Sequence, residues 1–193
     1  MLQWLREALR ALPSQYANLL LFCTLTGMRG SECIESIKLL NCHTNANLQN
    51  RSLANNSLDG QRYYYNPSRW ILQHYLFPQI FIRRTKAIYI SIVNDEIIGI
   101  AQKVGDNPSM KGVERAMMKR CLSMKIKYCR KIHASWLHHR GISSELIDAL
   151  QGRISKNIFL RHYLTPDSSF KTRVLDVTTE LQKHHYNQLT NYQ

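Results

Sequence analysis

Between Lys127 and Tyr163 the chain gathers side chains able to hold and attack a phosphate. Lys127 and Arg130 open this stretch, Arg153 follows a helix ended by Gly152, and Tyr163, preceded by Arg161 and His162, closes it. Guanidinium groups bind phosphate oxygens through paired hydrogen bonds. A phenol can take over a broken phosphodiester as a covalent intermediate, so cations beside a tyrosine point to phosphoryl transfer. A Tyr hydroxyl has a reference pKa of about 10 and is a weak nucleophile at neutral pH. Cations must therefore serve both the nucleophile and the negative charge that the transition state builds on the phosphate oxygens. The sequence has no carboxylate cluster suited to two Mg²⁺ ions, so the guanidiniums would do what metal ions do in many nucleases.

Three motifs stand in order along the chain. Thr26-Gly27-Met28-Arg29-Gly30-Ser31-Glu32 is similar to T-G-x-R-x-x-E, Lys127-Tyr128-Cys129-Arg130 to H/K-x-x-R, and Leu150-Gln151-Gly152-Arg153 with Tyr163 to a Gly followed by His or Trp and then the Tyr. On these motifs, from about Leu19 to Leu164, the chain resembles the catalytic part of the tyrosine recombinase (phage integrase) family. The L-Q-G-R and R-H-Y-L wording looks like the integrases of archaeal viruses and plasmids. The resemblance implies a nucleophile at Tyr163, phosphate-binding arginines at Arg29 and Arg130, and a general-acid lysine on a β-hairpin tip, which Lys86 matches best. Lys127 stands where most of the family has His. Arg153 replaces the usual His or Trp, which keeps a hydrogen bond to phosphate and removes proton transfer. Arg83, Arg84, Lys131 and His162 are the expected DNA contacts. The resemblance also implies double-stranded DNA as partner, a homo-tetramer on that DNA, no cofactor and no metal. Relatives carry an N-terminal domain that clamps the duplex, and this sequence is read as lacking it. Type IB topoisomerases share the chemistry, and a catalytically inactive basic DNA-binding module is the alternative of another class.

Composition agrees with an anionic partner. The 26 Lys+Arg against 13 Asp+Glu give a formal net charge of +13 over 193 residues, a property that speaks for polyanion binding and says little about fold. With 44% hydrophobic residues the chain can bury the core of one ordinary domain. No apolar run reaches the length of a membrane span and no signal-peptide pattern opens the chain, so a soluble, unsecreted protein is expected, and the resemblance implies the cytoplasm of a prokaryotic host. The five cysteines, Cys23, Cys33, Cys42, Cys121 and Cys129, include no C-x-x-C pair and read as free buried thiols. His184-His185-Tyr186 offers a rival tyrosine, without the His-hydrophobic-His pair that a metal-dependent nuclease of that kind needs.

The elements that must position these residues are mostly helical. Trp4, Leu5, Leu9 and Leu12 recur at helical spacing up to Pro13; Ser14 is placed to cap a second helix, which Gly27 breaks; a third starts at Ser31 and Glu32. Arg29 then falls on the turn between helices, with Glu32 placed to orient it or to cap. Residues 41–61, rich in Asn and Ser, read as a loop. Tyr63, Tyr64, Tyr65 and Trp70 are candidate base-stacking surfaces, though more often core and rim. Gln79 to Val93 carries the strand signal, two strands joined by Arg83-Arg84-Thr85-Lys86. Helices follow from Asp95, from Ser109 (with Val113, Met117, Cys121 and Met124 on one face), from about Lys127 to Gly141, and from Ser143 to Gly152. After a turn at Thr165-Pro166-Asp167, Phe170, Val174, Val177 and Leu181 form a stripe on a closing helix that packs on its own domain or on a neighbouring subunit. The expected fold is α+β, mainly α-helical, with a small antiparallel sheet. One catalytic domain fills 1–193, with a core at about 14–164 and a tail over 165–193.

Overall fold

The computed structural model describes residues 1–49, 64–83, 86–123, 126–153 and 169–186. Helix α2 (Ser14–Thr26) is its axis. Leu19, Leu20, Leu21, Phe22, Cys23 and Leu25 are all buried, so the helix is apolar on every side and must be enclosed. Helices α1 (Leu2–Ala11), α3 (Gly30–Gln49), α5 (Asp95–Gln102) and α7 (Lys127–His139) pack around it. Each fully buried Leu or Phe contributes roughly 1.5–3 kcal/mol.

Strands β1 (Tyr65–Asn66), β2 (Ile71–Gln73) and β5 (Ile90–Ile92) form an antiparallel sheet in the order β1-β2-β5, with Ile71 opposite Ile92. A short helix α4 (Pro78–Phe81) leads into a separate hairpin of β3 (Ile82–Arg83) and β4 (Lys86–Ala87). The strand expected over 79–83 is thus half helix, because Pro78 at the first helical position starts a turn. The isoleucine run that follows is divided between two sheets at Ile88 and Tyr89. The strands β1 and β2 were not legible at all, being short and joined through Trp70, whose positive φ of 54° no aromatic residue announces.

A second apolar cluster joins Ile71 and Ile92 of the sheet to Leu137 of α7, to Ile142, Ile147 and Leu150 around α8 (Ser144–Leu150), and to Phe170, Val174 and Leu175 of α9 (Phe170–Tyr186). The closing helix therefore packs on its own domain, held also by Trp136 Nε1 donating to the Val177 carbonyl at 3.0 Å and by Arg140 forked onto Glu180.

Three expectations need correction. Residues 41–49 are helical, continuing α3 through Gln49. Nothing from Cys42 to Gln49 is Gly or Pro, and once a buried first half nucleates a helix each further residue adds at low cost. Ser14 is the first residue of α2 and Pro13 its cap, without a side-chain cap bond. Cys121 is exposed, at φ 54° beyond the end of α6 (Met110–Met118), whereas Cys23, Cys33 and Cys129 are buried as expected. Tyr64 is fully buried against Phe77, Phe81 and His74, and Tyr65 is half-buried with its hydroxyl donating to Asp95 Oδ1 at 2.7 Å, the core and rim placing that the sequence favoured. Trp70 is 42% exposed.

Candidate active site

Helix α2 ends at Gly27, whose φ of +65° turns the chain outward, and its N–H bonds to the Cys23 carbonyl at 3.1 Å. The next two residues deliver Arg29 to the start of α3. Glu32, almost wholly buried, accepts the Arg29 main-chain N–H through Oε2 at 2.9 Å and the guanidinium Nη1 through Oε1. It caps the helix and orients the arginine together, as the sequence suggested.

Arg130 stands one turn into α7, on the side of that helix facing α2 and the end of α8. Its Nη2 donates to the main-chain carbonyl of Gln151 at 2.8 Å and lies 3.4 Å from the side-chain Oε1. Burial lowers its pKa from the usual arginine range; the charges of Arg29 and Arg153 lower it further, and that of Glu32 works the other way. Arg29 and Arg153 each lie within electrostatic reach of Arg130. Glu32 pairs with Arg29, and Asp148 accepts from Arg153 Nη1 at 2.8 Å, while the bonds to Arg130 come from the neutral Gln151. Like charges so assembled repel until an anion arrives. Lys127, exposed, is the first residue of α7, one turn before Arg130 on the same face. Lys131 is exposed, its Nζ 5.9 Å from the centre of the Tyr128 ring.

Arg153 owes its place to the way α8 ends. Gly152 takes φ +67°, its N–H bonds to the Ala149 carbonyl at 3.1 Å, and the Arg153 N–H reaches back to the Asp148 carbonyl at 2.8 Å. This is a Schellman motif, and it carries the Arg153 side chain back to the Asp148 carboxylate. The Gly152 carbonyl then accepts the Ala87 N–H at 3.1 Å, so β4 lies directly against the turn. A Cβ at Gly152 would stand 2.8 Å from the Ile88 nitrogen and 2.9 Å from the Ala87 carbonyl carbon. The glycine is there so that the hairpin bearing Lys86 can approach. Within the hairpin Lys86 is paired with Arg83 across the two strands. Arg84, His162 and Tyr163 lie outside the described residues.

Sequence reasoning missed three supporting residues: Asp148, Gln151 and His133. His133 lies one turn beyond Arg130, fully buried, with its ring against Gly27, where a Cβ would come within 2.4 Å of its Cδ2. Neither ring nitrogen has a hydrogen bond of normal geometry. Burial pushes its pKa down to about 4, nearby backbone of Thr24 and Leu25 opposing that and Arg130 adding to it. The ring is therefore neutral at pH 7 and joins the Arg29 turn to the Arg130 helix by packing. Buried thiols are poor nucleophiles, and burial raises Cys129 to about 12. Among the described residues no group of His, Cys, Asp and Glu is arranged to hold a metal ion, and no helix is long and apolar enough to cross a membrane.

The sequence profile of the archaeal phage integrase family matches residues 4–171. The chain belongs to that family. Neither the curated proteins nor the solved structures compared with it gave a significant match. Membership makes this integrase a DNA-binding recombinase, and its mainly helical α+β fold with a small antiparallel sheet is the one expected.

Proposed function

We propose that this integrase is a tyrosine recombinase that breaks and rejoins DNA strands through a 3′-phosphotyrosyl intermediate on Tyr163 to integrate or excise a viral or plasmid genome. The observation that carries the reading is that Arg29 and Arg153 both act electrostatically on Arg130, with the Lys86 strand hydrogen-bonded to the turn that bears Arg153. Arg29 and Arg130 hold the non-bridging oxygens of the scissile phosphate and stabilise the charge that develops there. Arg153 adds a further hydrogen bond. The Tyr163 oxygen attacks phosphorus, the bond to the 5′-oxygen breaks, and Lys86 gives that oxygen its proton. Lys127 is the candidate acceptor of the phenolic proton. Reversal with a 5′-hydroxyl from a second duplex completes strand transfer, for which four copies assemble on paired sites. The reaction consumes no nucleotide because the phosphodiester energy stays in the protein–DNA bond.

The test is a nicked duplex from which the 5′-hydroxyl strand diffuses away after cleavage, incubated with the protein in excess EDTA without nucleotide. A covalent adduct that survives denaturant is expected. Activity that vanishes on chelation and returns with Mg²⁺ counts against the mechanism. Relaxation of supercoils without strand exchange between two sites identifies a topoisomerase instead, and binding without an adduct an inactive module.

A further inference from the structure

Gln151 is the most buried polar residue at the site, fully enclosed, and its bonds with Arg130 run both ways. Its side-chain Nε2 donates to the Arg130 main-chain carbonyl at 2.9 Å, while its own main-chain carbonyl takes the Arg130 guanidinium at 2.8 Å. Backbone and side chain of one residue thus grip backbone and side chain of the other. The same residue immediately precedes Gly152, whose carbonyl receives the Ala87 N–H at 3.1 Å. Only one peptide unit separates the grip on Arg130 from the strand that carries Lys86.

We infer that Gln151 is a positioning residue for strand cleavage: it fixes the Arg130 guanidinium and ties its place to that of the Lys86 hairpin. The inference rests on the phosphoryl-transfer reading above. Without the side-chain bond from Nε2 the end of α8 shifts against α7, and the carbonyl that holds the guanidinium shifts with it. A guanidinium displaced by even a fraction of an ångström no longer faces the charge of the transition state, where an aligned donor acts most strongly.

Gln151→Met keeps length and volume and removes both polar atoms. It leaves no helical group unpaired, because the Arg130 carbonyl retains the bond normal to a helix interior. Adduct formation on the nicked phosphodiester substrate should slow by roughly tenfold or more, with duplex binding within about threefold of the parent. A substrate with a neutral methylphosphonate at the cleavage position does not need that guanidinium, so the difference between parent and variant should shrink toward one. An equal defect on both substrates shows a merely structural role and overturns the inference, as does a variant as fast as the parent on the phosphodiester.

A second measurement needs no catalysis. In nuclear magnetic resonance spectra of the free protein, the Arg130 guanidinium protons, assigned against Arg130→Lys, should show hindered rotation that is lost in Gln151→Met, which has no Nε2 donor. Unchanged rotation in Gln151→Met refutes the inference even if the parent forms no adduct. That last outcome would remove the recombinase reading and leave the Gln151–Arg130 grip to be judged on the spectra alone.

Discussion

Arg130 owes its effect to where its charge sits, half-buried, beside two other guanidiniums and on neutral acceptors. Arg130→Ala should therefore weaken duplex binding by about 1 kcal/mol, the cost of one cation among many, yet slow adduct formation by a factor on the order of 10² to 10³. Lys86→Ala should show the same split, with a difference in kind. A 5′-bridging phosphorothioate, whose sulfur departs without a proton, should restore cleavage to Lys86→Ala and not to Arg130→Ala. Rescue of Arg83→Ala in its place would move the general acid along the hairpin. Two buried histidines set the response to acid. His133 lies at about 4 and His74, which hydrogen-bonds to Tyr64 and Ser91, at about 3, both lowered by burial from the ordinary 6.5. The unfolded chain then binds protons that the folded one refuses, so stability is full above about pH 6.5 and falls as pH drops toward these folded values. Each unit between the two pKa values is about 1.4 kcal/mol. Denaturant titrations at pH 7.5 and 4.5 should show the loss, and His133→Leu should reduce it. An acid response unchanged by that substitution would mean that His133 is not buried neutral.

Two glycines let the segments bearing Arg29 and Lys86 approach the rest of the fold, and each meets a different kind of neighbour. A Cβ at Gly27 would strike the His133 side chain, whereas one at Gly152 would strike the backbone of Ala87 and Ile88. Both positions also have positive φ, so an alanine is strained at either by about 1 kcal/mol. Gly27→Ala should lose more than that alone, and His133→Ala should recover part of the loss in a double-mutant cycle. No side-chain truncation can relieve Gly152→Ala, which should destabilise by more than about 2 kcal/mol and slow cleavage by displacing β4. Additivity of Gly27→Ala with His133→Ala would contradict the contact. These glycines show what could be read in advance. Gly27, Gly141 and Gly152 end helices where the pattern of apolar residues stops, and Ser109 and Ser143 cap α6 and α8 as their spacing required. The reason Gly152 must be glycine is a long-range approach of backbone from 65 residues earlier, which no local pattern encodes. The hairpin was legible as a basic turn between apolar residues, but its strands are two residues each, too short for alternation to mark their ends. Gln151 stood inside a motif without any sign of its hold on Arg130, and the packing of His133 gave none either, since a polar residue enclosed by tertiary packing reads like any surface residue.

For the whole molecule, charge and core divide the work. The formal net charge of +13 supplies attraction to the duplex, and affinity should fall steeply with salt; Lys131→Ala should reduce the slope of log affinity against log salt by about one while leaving the cleavage rate of bound substrate unchanged. The enclosed α2, with α3 and α7 packed on it, holds Arg29 within electrostatic reach of Arg130. The order of the motifs made this assembly foreseeable in outline. The proposed reaction turns on Tyr163 as its nucleophile. The most direct measurement is to trap the adduct on nicked DNA in excess EDTA, digest it, and locate the phosphate-bearing residue by mass spectrometry. The account predicts the peptide containing Tyr163, and no adduct from Tyr163→Phe despite duplex binding within a few-fold of the parent. A phosphate on Tyr186, or an adduct that persists in Tyr163→Phe, would contradict it.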